Sequence, residues 1–448
     1  MRVALHTIGC KLNQYETEVI REGLIAAGHE IVPFTARADL YLVNTCTVTQ
    51  KADHDARRLL RQAKRRNPSA LVVAAGCYAQ TDAGRLAAMP EVDLVLGNAD
   101  KLRLSDWLAG ASPEPGVRVT NLSQQTAFER VSVQAFDSHT RAFVKIQDGC
   151  DARCAYCKVP LARGPNRSRL VDDTIAQVRQ LCEAGHREIV LIGIHLGTYG
   201  RDLTPPVSLA ELLRLILEDP RPQRLRLSSI EPLEFSPELI DVLAAHAGRI
   251  CRHLHIPLQS GSDRVLAAMN RRYTAEQYAS IVGELARRIP GLALGADVLT
   301  GFPGETDDDH ARTCELVRTL PLAYLHVFSY SPRDGTAAAY LPGPVRPDII
   351  KRRSRELLAW SANRYATYLD SLVGTEQSVL FERQIGEHVV GHTDTYAEVS
   401  VPAGEAERND LAQVRIDGVT ADRCFGHVIG SARLPLSGPG SPPSPSAS

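Results

Sequence analysis

Three cysteines in one short run carry the clearest chemical signal: Cys150, Cys154 and Cys157, spaced Cys-x3-Cys-x2-Cys. They follow the apolar run Ala142-Phe143-Val144-Lys145-Ile146, so three thiolates converge on one loop after an expected strand. A [4Fe–4S] cube with four cysteine ligands is closed, whereas one held by three keeps an iron open for a substrate or cofactor. Structural zinc is the competing use, but zinc normally takes four protein ligands, and no fourth Cys or His stands at a matching spacing. Cys10, Cys46 and Cys77 lie far apart, yet each ends an apolar run: Val3 to Gly9, Leu40 to Thr45, and Leu71 to Gly76. In an open parallel sheet the loops after the strands gather along one edge, so these thiols can face one site and hold a second cluster. Expected helix starts just after them favour thiolates and cluster sulfides through free N–H groups. Buried structural cysteine is the alternative. Cys182, Cys251, Cys314 and Cys424 lack such placement and read as core filling.

The elements that must position these residues follow a βαβ rhythm. From 1 to 110, buried parallel strands at Val3-Ala4-Leu5, Leu40 to Val43, Leu71 to Ala75 and Val92 to Leu96 alternate with amphipathic stretches, giving an α/β domain with a small doubly wound sheet. Residues 111–140 hold Ser112-Pro113-Glu114-Pro115-Gly116 and read as a linker. Over 141–368, strands expected at 142–147, 188–193, 224–229, 253–258, 293–299 and 324–329 make an incomplete α/β barrel. Short alternating runs over 370–432 make a small all-β barrel, and the Pro/Ser/Gly-rich 433–448 reads as a disordered tail. The 448 residues carry ten cysteines, a net charge of −1, 44% apolar and 23% charged residues, so nucleic-acid binding must come from local patches. With no apolar leader and no long apolar run, a cytoplasmic protein without a membrane span is expected, where thiols stay reduced for metals.

The cysteine run and Val159-Pro160-Leu161-Ala162-Arg163-Gly164-Pro165-Asn166-Arg167-Ser168-Arg169 resemble the radical S-adenosylmethionine (SAM) methylthiotransferase family. So do Gly9-Cys10-Lys11-Leu12-Asn13, Asn44-Thr45-Cys46-Thr47-Val48-Thr49 and Gly76-Cys77-Tyr78 at the amino end. Leu227 to Pro232, His255 to Ser262 and Gly301 to Thr306 resemble the family's barrel motifs, and 370–432 its RNA-binding TRAM module. The resemblance implies a radical SAM [4Fe–4S] cluster on Cys150, Cys154 and Cys157 and an auxiliary one on Cys10, Cys46 and Cys77. It also implies two SAM molecules, one methylating a sulfur at the auxiliary cluster and one generating a radical, with a methylthio group replacing hydrogen on adenine C2 in tRNA.

Residues at the carboxyl ends of barrel strands line the reaction mouth, which makes Gly193, Glu231, Gln259 and Asp297 the SAM-facing candidates. Glu231 and Asp297 have the alternative of pairing with an arginine such as Arg226. Arg163, Arg167 and Arg169, just after the radical cluster, are the expected RNA contacts. Further cations stand at Lys51 to Arg66, at Arg271 and Arg272, and at Lys351 to Arg353. Acidic residues outnumber arginines between Gly374 and Ile429, so the last barrel is no generic polyanion binder. Among branches the sequence is most similar to the one acting on N6-threonylcarbamoyladenosine in the tRNA anticodon stem-loop, with an external electron donor and sulfur source. The isopentenyladenosine branch, the branch acting on a ribosomal-protein aspartate, and a non-catalytic metal-containing RNA-binding protein stay open.

Overall fold

The computed structural model describes residues 1–109, 115–136, 139–420 and 422–431; the tail expected at 433–448 lies outside them. The amino-terminal sheet is parallel throughout, and four of its strands coincide with the apolar runs of the sequence: Arg2–Thr7, Leu40–Thr45, Leu71–Gly76 and Leu94–Leu96. Two edge strands lacked a sequence signal because each is three residues long: Glu30–Val32 and Gly116–Arg118. The second lies in the segment read as a linker, which also sends Val133 and Phe136 into the core of the following domain.

All six expected barrel strands form. Arg224–Leu227, Glu188–Ile192 and Ala142–Lys145 make one parallel three-stranded arc, and His253–His255, Ala293–Thr300 and Tyr324–Ser329 the other. The arcs meet through a single bridge, Leu225 to Ile250, so the barrel is open on one side. The amino-terminal domain packs there, its helix Lys11–Ala26 placing Leu12 and Tyr15 in the barrel core. After the helix Pro347–Asp370, five strands from Glu376–Ile385 to Cys424–Ser431 close a separate β-barrel around Val379, Phe381, Val399, Val401, Val414 and Ile416. Among the described residues no helix is long and apolar enough to cross a membrane.

This β-barrel docks at the amino ends of the α/β strands. Glu188, at a strand start, is fully buried and accepts from Arg226 Nε at 2.6 Å. Arg226 also donates to the carbonyls of Thr393 and Asp394, and Arg224 to the carbonyl of Ser378 and, at 3.2 Å, to that of His392. Burial alone would raise the Glu188 carboxyl; the Arg226 guanidinium, helped by Arg224 and Arg141, holds it down at about 2. A folded pKa below the ordinary 4.5 contributes stability that is fully present above that value and is lost as pH falls toward 2. Glu188→Gln should therefore destabilise the chain at pH 7 by about 3 kcal/mol. In urea melts the gap between variant and parent should close as pH falls from 4.5 toward 2; a pH-independent gap would contradict this account.

Candidate active site

Each cysteine of the dispersed triad sits between a strand and a helix. Cys10 caps Lys11–Ala26, Cys46 directly follows Leu40–Thr45, and Cys77 opens the short helix Cys77–Thr81 after Leu71–Gly76. The three are close enough that Cys10 and Cys77 both act electrostatically on the Cys46 thiol, which burial pushes up to about 12. Gly9 makes this approach possible: its φ is +107°, and a Cβ there would stand 2.6 Å from Cys46 Cβ. Polar hydrogens already point at the sulfurs. Val48 N lies 3.5 Å from Cys46 Sγ, and Asn98 Nδ2 lies 3.6 Å from Cys77 Sγ.

The compact triad occupies the loop after Ala142–Lys145. Ala152 N donates to Cys150 Sγ at 3.4 Å and Arg271 Nη1 to Cys154 Sγ at 3.4 Å, while His195 Nδ1 lies 3.6 Å from Cys150 Sγ. Burial opposes charging of His195, but hydrogen bonds with Cys150 and Glu234 outweigh it and hold the imidazole up at about 9. Burial also takes the Cys157 thiol to about 12, so a metal bound there must displace a proton.

Five of the six cysteines line one cavity of about 1310 Å³ inside the α/β barrel: Cys10, Cys46, Cys150, Cys154 and Cys157, with Cys77 set behind its wall. The cavity runs the length of the barrel, from Gly193, Glu231 and Gln259 beyond the strand ends to His253, Ala293 and Tyr324 at the strand starts. Tyr396 of the terminal β-barrel lines it at that lower end, its ring covered by Arg226 at 4.9 Å and Arg141 at 5.1 Å.

Of the SAM-facing candidates, all four line this cavity. Gly193 has a packing reason for its identity as well, since a Cβ would come within 2.9 Å of Gln147 Oε1. Glu231 and Asp297 do pair, but not with Arg226, whose carboxylate partner is Glu188. Glu231 takes Arg271 at 2.6 and 3.1 Å, so Arg271 belongs to the site and not to a phosphate-binding surface. Asp297 accepts from His255 at 2.8 Å, with His326 at 3.4 Å; burial would raise its carboxyl, and these imidazoles hold it well below the usual range.

Arg163, Arg167 and Arg169 do not form an RNA surface. All three are buried, at 1%, 4% and 3% exposure. Arg163 lies six residues after Cys157 and reaches into the amino-terminal domain, where Nη1 donates to Glu16 at 2.6 Å and Nη2 to Asn13 at 2.7 Å. Lys101 and Lys145 donate to the same Glu16 carboxylate at 2.6 and 3.0 Å. Asp148 takes Lys145, Arg163 and Arg167 at 2.7, 3.4 and 3.6 Å. Four cations thus face two carboxylates in the core, and a third carboxyl nearby, Glu129, is pushed up to about 7 by burial. Arg167 otherwise donates to the carbonyls of Pro165 and Arg163, and Arg169 to Tyr15 and Ser132. Sequence position suggested phosphate because a run of arginines looks the same whether its partners are phosphates or distant buried acids.

Comparison with known proteins agrees with this architecture. The family described as Uncharacterized protein family UPF0004 matches residues 2–97, and the Radical SAM superfamily matches residues 144–317. Threonylcarbamoyladenosine tRNA methylthiotransferase MtaB of Bacillus subtilis is 39% identical over 92% of this chain and 93% of its own. The chain belongs to the radical SAM methylthiotransferases. A dimethylallyl relative in this family, tRNA-2-methylthio-N(6)-dimethylallyladenosine synthase of Moorella thermoacetica, is 32% identical over 92% of this chain and 94% of its own. Among solved structures, the radical SAM methyltransferase TsrM of Kitasatospora setae superposes with a TM-score of 0.54 at 18% identity, covering 75% of this chain and 77% of that one; this supports the fold alone.

A methylthiotransferase uses SAM and [4Fe–4S] clusters, and the residues present fit them. Among the described residues, the metal-ligand sets whose donor atoms all lie within 4.8 Å of one another are His255, Asp297, His326 and His310, Cys314, Glu356. Neither cysteine triad is that tight, whereas a tetrahedral zinc with bonds of about 2.3 Å draws its sulfurs to about 3.8 Å. The excess buried positive charge near Cys10, Cys46 and Cys77, with Arg163 Nε left without a partner, suits an anionic thiolate cluster. Anaerobic reconstitution should give about eight irons per chain, and about four when either cysteine triad is replaced by alanine. Four irons in the parent protein would remove one of the two assignments. Arg163→Met should lower stability by about 3–5 kcal/mol, because Glu16 and Asp148 each lose a buried partner. The folded variant should keep the salt dependence of tRNA binding; a reduced salt slope would restore Arg163 as a phosphate contact.

Proposed function

We propose that this methylthiotransferase places a methylthio group on C2 of N6-threonylcarbamoyladenosine in the anticodon stem-loop of tRNA. One observation carries the reading: cysteines of both triads, from different domains, line a single cavity, Cys10 and Cys46 on one side and Cys150, Cys154 and Cys157 on the other. A transfer that joins a sulfur held at one metal centre to a carbon activated by the other needs both within one water-poor chamber. Five threonylcarbamoyladenosine enzymes are 30–39% identical to this chain, against 31–33% for three dimethylallyladenosine enzymes; four of the five exceed every dimethylallyladenosine enzyme, which favours the first substrate.

Cys150, Cys154 and Cys157 would hold one [4Fe–4S] cluster with SAM on its open iron, and Cys10, Cys46 and Cys77 a second that carries the sulfur. When bound, the first supplies the electron that cleaves SAM, and a further SAM supplies the methyl group. The chain's own part is placement. Arg271 ties Cys154 to Glu231, so the cluster loop and the strand-end wall move together. Gly193 leaves the wall open to a cofactor, and Gln259, held at φ +66°, presents an amide that makes no hydrogen bond among the described residues. Such an amide can donate and accept toward SAM. Electron donor and sulfur source are external in this scheme, and the setting is the cytoplasm. The β-barrel's exposed cations are already engaged, Arg383 and Arg423 with Glu398 and Arg415 with Glu376, so it would read RNA shape more than charge.

Anaerobic turnover with dithionite, on stem-loop RNA carrying either the threonylcarbamoyl or the isopentenyl adenosine, should methylthiolate the first and leave the second. In the same assay Cys46→Ala should release 5′-deoxyadenosine but no methylthio product, whereas Cys154→Ala should release neither. Methylthiolation by folded Cys46→Ala at the parent rate would return the dispersed cysteines to a structural role.

A further inference from the structure

Buried lysines in this chain come with a carboxylate: Lys101 has Glu16 at 2.6 Å, Lys145 has Asp148 at 2.7 Å, and Lys158 has Asp82 at 2.6 Å. Lys11, half-buried in the chamber wall, has no such partner. It follows Cys10 directly, lines the barrel cavity, and among the described residues neither ion-pairs nor hydrogen-bonds with a carboxylate. The charges acting on it are Arg141, Arg226 and Glu188, together with Tyr396. Glu188 is already committed to Arg226 and Arg224, and Arg141 to Glu382 at 2.8 Å. An ammonium in a low-dielectric chamber whose acids are spoken for is costly unless an anion arrives from outside.

The surroundings suit a polar guest. Near the lower end of the cavity stand the hydroxyls of Tyr324, Tyr365 and Tyr396 and the imidazole of His253, whose Nδ1 is buried without a partner. An isopentenyl group offers these nothing, whereas a threonylcarbamoyl group ends in a carboxylate and carries a hydroxyl. Resting on the substrate reading above, we propose that Lys11 receives the carboxylate of the substrate's threonylcarbamoyl group inside the barrel. The base would then lie toward the cysteine triads, because Lys11 is bonded to the residue that contributes one of their thiols. Selection against an uncharged N6 substituent follows from the same contact, since without the carboxylate the ammonium faces the ligand-filled chamber unpaired.

The test uses the doubly reconstituted holoenzyme and two stem-loop RNAs, one with threonylcarbamoyladenosine and one in which its carboxylate is replaced by a carboxamide. Equilibrium binding by the parent enzyme should favour the carboxylate RNA about tenfold or more, the range of one charge-assisted hydrogen bond. Lys11→Met with full iron content should bind the two alike, and Lys11→Arg should keep the preference. Equal affinities in the parent, which need no variant at all, would overturn the proposal; so would a preference surviving in iron-replete Lys11→Met or, if that variant does not load, in Lys11→Gln. Failure of the substrate reading looks different: the threonylcarbamoyl RNA would then not be methylthiolated and would bind no better than unmodified RNA.

Discussion

Glu16 is the residue on which the assembly turns. A carboxylate with no solvent is tolerable only when several donors surround it, and here Lys101 comes from its own domain while Lys145 and Arg163 come from the α/β barrel. Burial works to raise Glu16, and the three cations hold it well below its ordinary value. The strand that ends before Cys46 is tied to the same knot through Asn44, and Cys77 through Asn98, whose Nδ2 lies 3.6 Å from its Sγ; both asparagines accept Lys101 hydrogens. Removing any one partner leaves the others charged and dry, so the relative position of the two cysteine triads is fixed by a contact that cannot slide without breaking several bonds together.

The cavity has a similar logic at its other end. An α/β barrel with six strands instead of eight leaves a side and a lumen uncovered, and each opening is covered by a different neighbour. The amino-terminal sheet closes the side and brings thiols with it. The terminal β-barrel lines the lower end with Tyr396, held in a left-handed conformation at φ +70° and flanked by Arg226, Arg141 and the His253 and His392 rings. Strain at a non-glycine residue persists when its surroundings over-determine it, and four flanking groups do so here.

The parallel α/β strands and the closed terminal β-barrel were legible because they rest on local signals: apolar runs and the change from helical to alternating pattern. What the sequence did not show were buried partnerships between separate elements, 147 residues apart for Glu16 and Arg163 and 38 for Glu188 and Arg226. Glu16 with Arg163, and Glu188 with Arg226 beneath Tyr396, carry no periodic trace, since a single buried charge looks like any surface charge in a linear string. That is also why Arg163, Arg167 and Arg169 resembled a phosphate-binding strip. His195, two residues beyond Gly193 at a strand end, offered a hint through its position alone.

The place of Tyr396 also bears on how such a protein is made. Cys10 is made 386 residues before Tyr396, yet both line one chamber, so the chamber is incomplete until synthesis has passed Tyr396. The sheet that carries the first thiols can fold earlier, as domains do in order of synthesis. Its cysteines then wait beside an unfinished enclosure, and the last module to fold converts an open trough into a lined vessel. A copy that lacks the terminal β-barrel keeps the thiols but loses the Tyr396 wall of the chamber they face.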